Sequence, residues 1–183
     1  MKNNFLIVIL LLLCTLATTK ANVTDLIRND KEYFSSFKKN EQPKDKKFIA
    51  LTKNSEGMDM AELFDMRNAG AIAFGDYNKS IDNANLLKIA LQYVQDFDGL
   101  VIAFAQDDKI KGNGVANEGI VSTRLGLKGV PNLAEELQIA RNLFLLEYTG
   151  GKLHLPTIST AKSTALIQEA KAKGLKVTCS VAV

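Results

Sequence analysis

The sequence predicts an α/β fold of parallel βα units, and three observations carry that prediction. Short apolar runs at 48–51, 71–74, 100–104, 152–155 and 175–181 alternate with longer segments whose apolar residues recur at helical spacing. The turns between them are short, which suits right-handed βαβ crossovers in a parallel sheet. The chain has 183 residues, against about 250 for a complete eight-stranded barrel, so two arrangements stay open: a smaller open sheet, or an arc of a barrel.

At the amino terminus, Lys2 precedes an apolar run over 5–17, followed by Thr18, Thr19, Lys20 and Ala21. That layout matches a secretory signal, and the run is shorter than the ~20 residues a spanning helix needs. The alternative is that residues 5–13, rich in Ile, Leu and Val, are a buried strand. Residues 1–21 are therefore a leader or a first retained strand, and 22–183 the main domain. Leu13 ahead of Cys14 argues against a lipoprotein signal.

The spacing next predicts a helix over 23–37 and a solvated, lysine-rich loop over 37–47 containing Pro43. Residues 48–51 are a strand. Met60, Leu63, Phe64 and Met66 mark a helix over 58–68 that stops before Gly70, and 71–74 are again a strand. Asp82 can cap a helix over 83–95 whose stripe is Leu86, Leu87, Ile89, Ala90 and Val94. A strand over 100–104 leads into a polar loop over 106–119. Pro131 suits the first turn of a long helix ending near Tyr148, with Gly150 as its left-handed stop. A strand over 152–155, a helix over 161–173 closed by Gly174, and a strand over 175–181 complete the series.

Composition narrows the function classes. With 46% hydrophobic and 23% charged residues the chain is not disordered, and a formal charge of +3 does not suit a strongly basic nucleic-acid-binding protein. Cys14 and Cys179 lie at opposite ends without metal spacing. His154 is the one histidine, which excludes a multi-histidine centre within a single chain and any persuasive Ser-His-Asp set. Alternating with Leu153 and Leu155 in a strand, it reads as a packed, hydrogen-bonded residue. Gly112, Gly114 and Gly119 lack the dinucleotide spacing.

In parallel α/β folds ligands meet the carboxyl ends of the strands. The candidates there are Thr52, Lys53, Asp76, Tyr77, Asn78, Gln106, Asp107, Asp108, Thr157 and Ser159. Asp76 and Asp107 are carboxylates that closely follow strands; such a pair can serve as acid and base or hold a metal, or simply cap the next helices.

Several segments together resemble the dihydroorotases, metal-dependent cyclic amidohydrolases of pyrimidine synthesis. They are GVANEGIVSTRLGLKGVP at 114–131, AEELQIAR at 134–141, YTGGKLH at 148–154, ISTAKS at 158–163 and LIQEAKAKGLKVT at 166–178, with EGMDMAELFDM at 56–66 and GAIAF at 70–74 upstream. The resemblance runs over about 47–183 and more faintly over 19–27. It implies a partial (β/α)8 TIM barrel, a zinc cofactor in the family, and a family reaction that reversibly hydrolyses dihydroorotate to N-carbamoyl-aspartate.

Carried over position by position, the resemblance puts Asp76 where bacterial relatives have a fourth-strand acidic ligand. Phe104 takes the fifth-strand histidine position, in FAQD at 104–107 where the family reads His-Ala-Glu-Asp, and Thr157 takes the sixth-strand histidine position. His154 matches a histidine that is not a ligand. Asp107, Asn117 and Glu118 form a pocket-loop group. The first-strand histidine pair and the last two strands, with the catalytic aspartate, have no counterpart in this sequence. The expectation is a metal-site-degenerate member with no catalytic residue of its own and no zinc bound. Its partners would be a second copy or aspartate carbamoyltransferase, without nucleic acid or a membrane span. The resemblance favours a cytoplasmic protein and residues 5–13 as a barrel strand; an exported small α/β protein is the competing reading. Uncovered strand edges would favour self-association.

Overall fold

The structure is a computed structural model that describes residues 47–181. The leader or first strand, the helix over 23–37 and all but the last residue of the lysine-rich loop lie outside the described residues.

In chain order the elements are β1 (Lys47–Ile49), α1 (Leu63–Asn68), β2 (Ala71–Phe74), α2 (Ala84–Tyr93), β3 (Leu100–Ile102), α3 (Asp108–Lys111), β4 (Ala116–Asn117), α4 (Ile120–Arg124), β5 (Gly129–Val130), α5 (Leu133–Thr149), β6 (Leu153–Leu155), α6 (Ala161–Ala172) and β7 (Val177–Cys179). Five strands form one sheet in the order β1-β2-β3-β6-β7, and every pair in it is parallel. Each new strand joins the same edge. A doubly wound sheet reverses direction partway, so this order is that of a barrel arc.

Register explains the layering. Phe74 pairs with Val101, Val101 with Leu153, and Leu153 with Val177. Paired residues in parallel strands point to the same face, and all four are buried. The Phe74 ring meets Phe97, just beyond α2, edge-on with centroids 5.9 Å apart, so this is the face that carries helices. The other face takes Ala73, Ile102, His154 and Thr178.

The helices follow local rules with some corrections. Asn83, rather than Asp82, caps α2: its side chain accepts from the backbone N–H groups of Asn85 and Leu86. Asparagine one residue later reaches the two open amides equally well. Ile89 is largely solvent-facing, and Leu91 takes its place in the buried stripe with Leu86, Leu87, Ala90 and Val94. The helix expected over 58–68 begins only at Leu63, because Met60 pairs as an isolated antiparallel bridge with Thr52. The loop over 106–119 contains α3 and β4, and β4 pairs in parallel with β5 across α4. That two-residue ribbon is too short to show as an apolar run.

The long helix α5 ends at Gly150 in the left-handed conformation, φ 75°, which glycine adopts without steric penalty. Its buried face is Ala134, Gln138, Ile139, Asn142, Leu143 and Leu146. Arg141 leaves that helix to donate to the carbonyls of Ile81 and Asp82 at 2.7 and 3.0 Å, fixing the loop that enters α2. Burial lowers its pKa, opposed by the fields of Asp82 and Asp107.

Candidate functional site

At the carboxyl end of β2, Gly75 lies against the Ile102 carbonyl so closely that a Cβ there would sit 2.5 Å from it. Only glycine lets the chain pass, and the next residue is Asp76. This carboxylate is buried at 4% exposure. One oxygen accepts from the Thr52 backbone N–H at 3.0 Å and the other from the Thr52 hydroxyl. Thr52 Oγ1 in turn accepts from the Gly57 N–H at 3.0 Å. Asp76 thus ties the segment after β1 to the end of β2, and both carboxylate oxygens are engaged.

After β3 the chain runs through Phe104 to Asp107, the N-cap of α3, whose Oδ1 accepts from the amides of Lys109 and Ile110. Its own N–H donates to the Ala134 carbonyl at 2.8 Å, docking α3 on the start of α5. A cavity of about 200 Å³ opens beside these residues, lined among others by Phe104, Gln106, Asn117, Asn132, Glu135 and Thr157. Five residues singled out in the sequence, Phe104, Gln106, Asn117, Thr157 and Ser159, therefore share one cavity. Asp76, Asp107 and Glu118 are not in its lining. Glu118 is exposed, and its backbone donates to the Val130 carbonyl.

The carboxylate at this cavity is Glu135, which in the sequence is one more acid in the first turn of a helix. Its oxygens accept from the Ser159 N–H at 2.9 Å, the Thr160 N–H at 3.1 Å and the Ser159 hydroxyl. Thr160 caps α6, so Glu135 holds the amino end of one helix from the first turn of another. An acid in the opening turn of a long helix, with Ser-Thr ahead of the next helix, is a signal for such a tie only once β6 is known to lie between them. Thr157 adopts φ 54°, a left-handed conformation that a β-branched residue enters only at some energetic expense.

His154 is buried and packed as its strand position suggested. Its Nδ1 lies 2.8 Å from Thr178 Oγ1, and its Nε2 lies 3.4 Å from Ser180 Oγ. Among the described residues, no three His, Cys, Asp or Glu side chains gather closely enough to hold a metal ion. Phenyl offers no lone pair, a threonine hydroxyl is a poor zinc donor, and Asp76 already satisfies Thr52. These residues do not fit a hydrolytic zinc centre.

A one-directional parallel sheet with helices on one face and polar loops at its strand ends defines an arc of a (β/α)8 barrel. Solved hydantoinases share it: the L-hydantoinase (dihydropyrimidinase) from Arthrobacter aurescens superposes with a TM-score of 0.54 at 19% identity, over 73% of this chain and 31% of that one. A D-hydantoinase from Bacillus sp. AR9 gives 0.52 at 19%, over 73% and 30%.

The chain belongs to the dihydro-orotase-like family, whose model matches residues 29–163. It is 47% identical over 133 residues to a dihydroorotase of Pelotomaculum thermopropionicum, covering 73% of this chain and 31% of that protein. It is 42% identical over 129 residues to one of Syntrophus aciditrophicus, covering 70% and 30%. The chain thus spans about 30% of the length of these curated relatives.

Proposed function

We propose that this chain is a dihydroorotase-like protein of pyrimidine biosynthesis that does not itself hydrolyse the cyclic amide. Phe104 carries the proposal. Zinc hydrolysis needs nitrogen or carboxylate donors to bring bound water to a pKa of about 7, and the family pattern puts histidine where this chain has phenylalanine. Thr157 removes a second imidazole, and Asp76, the acid retained at a ligand position, serves as a structural tie. Zinc belongs to the family's chemistry, and here the donor set does not fit it.

The test is a sensitive assay of the purified chain with dihydroorotate and added zinc. No turnover above a blank is expected; turnover that tracks the chain through purification would contradict the proposal. The reading places the protein in the cytoplasm. Mass spectrometry showing removal of residues 1–21 from the mature chain would favour the exported alternative.

A second reading is a non-catalytic partner of aspartate carbamoyltransferase. It is favoured by the helical surface of α5, including residues 134–145, beside a site without ligands. Co-purification with that enzyme and a shift in its size are expected on this reading, and an unchanged elution volume would count against it.

A further inference from the structure

The strands β6 and β7 pair with His154 opposite Thr178, so the imidazole and that hydroxyl share the sheet face away from the helices. Side chains alternate along a strand, and Ser180, just past β7, returns to the same face as Thr178 while Cys179 takes the other. The serine is held in place by its backbone. Its N–H donates to the Leu155 carbonyl at 3.1 Å, and its carbonyl accepts from the Ile158 N–H at 2.9 Å. His154 is therefore flanked by two hydroxyls, Thr178 Oγ1 at 2.8 Å from Nδ1 and Ser180 Oγ at 3.4 Å from Nε2. Thr178 is buried, and Ser180 is exposed.

The three groups have complementary hydrogen-bonding capacity. The Thr157 N–H donates to Ser180 Oγ at 3.4 Å, which leaves the serine its own proton to give. Nε2 accepts that proton in the tautomer whose hydrogen is on Nδ1, and Thr178 Oγ1 has lone pairs to receive the Nδ1–H. A nucleophile, a base and a group that orients the base are thus joined in order, with a hydroxyl where a Ser-His-Asp set has its carboxylate. A nucleophile-to-base separation of 3.4 Å is at the long end, as resting pairs often are before substrate closes them. Thr157 also lines the cavity of about 200 Å³, so space for a small acyl group lies beside the residue whose amide touches the serine.

We propose that Ser180 is a nucleophile activated by His154, with Thr178 as the positioning residue, and that it takes acyl groups from small activated esters. Ser180 Oγ forms a bond to the acyl carbon, and its proton passes to Nε2. The ester C–O bond breaks, and the leaving oxygen takes that proton from the ring. Water then attacks the acyl-serine, gives a proton to Nε2 and releases the acid, restoring the hydroxyl. A neutral threonine orients the ring without a charge to stabilise the imidazolium, so the reaction is slow and confined to good leaving groups. An unactivated cyclic amide lies beyond such a pair, and the dihydroorotate assay stays blank on this reading too.

Mixing the purified full chain with p-nitrophenyl acetate tests the proposal by where the acetyl group lands and how fast it arrives. Acetyl on Ser180 is expected in peptide mass spectra, with H154Q slowing its appearance by about 100-fold or more. T178V is expected to slow it about 10-fold, and T178S to restore it to within about twofold. Because His154 is the one histidine, a long-range proton–nitrogen NMR spectrum of the unaltered chain reads its tautomer directly, whether or not a variant folds. The proton is expected on Nδ1. Three results would overturn the proposal: a ring proton on Nε2, acetylated lysines with no acetyl on Ser180, or labelling of Ser180 at an unchanged rate in H154Q or T178V.

Discussion

Two carboxylates hold the strand-end loops of this arc, and they differ in how dry they are. Asp76 joins Thr52 to β2 in the protein interior, with both partners almost without solvent contact. Glu135 joins α5 to the start of α6 at the wall of an open cavity, and Ser159, one of its partners, is exposed. The bonding pattern is nearly the same: a carboxylate takes a backbone amide and a hydroxyl from a loop 24 residues away. Water can replace the lost bonds at Glu135 and cannot readily do so at Asp76. A residue type that suggests chemistry can thus be consumed by architecture, and burial sets how tightly.

The largest effect should come from Asp76→Ala, which strands the Thr52 amide and hydroxyl in the interior. A loss of about 3 kcal/mol in urea unfolding is expected, with the slope unchanged. If Asp76→Ala proved neutral, the contrast between the two ties would collapse. Glu135→Ala should cost about half as much, roughly 1–1.5 kcal/mol, because water reaches Ser159. A cycle with Ser159→Ala should show the two substitutions to be non-additive by a few tenths of a kcal/mol to about 1.

Asp107→Ala removes the cap of α3 and a carboxylate whose field acts on Arg141, so a loss of about 1 kcal/mol is expected from the same unfolding curves. Thr157→Gly goes the other way. With φ at 54°, glycine relieves the left-handed strain, and a gain of a few tenths of a kcal/mol up to about 1 is expected in the melting temperature converted to free energy. A loss there would mean that the threonine hydroxyl makes a contact worth more than the strain.

The alternation of apolar runs and amphipathic helices made the parallel α/β order and most element centres legible in the sequence. Element edges were less so. Asn83 displaced Asp82 as a cap by one residue, and Met60 left the helical pattern to pair with Thr52. Neither choice shows in periodicity, since each depends on which groups are left to satisfy after the chain has turned. The ribbon of β4 and β5 has two residues per strand, below any pattern length.

For the site, the sequence indicated where to look and not what the residues touch. Phe104, Thr157 and Asn117 do share one cavity. Glu135 carries no signal in the sequence because its partners, Ser159 and Thr160, are separated from it by a whole helix and strand. Asp76 is a ligand position only by the family resemblance, which does not show what its oxygens meet in this chain. Thr52, a residue 24 positions upstream, is what fills its oxygens.

The central claim is that the strand-end groups bind the fold together and, among the described residues, leave no donor set for a hydrolytic metal. Its most direct test is the metal content of the purified chain after loading with excess zinc and gel filtration. The account predicts zinc far below one ion per chain, unchanged by Asp76→Asn. One tightly held zinc ion per chain, lost on that substitution, would contradict it.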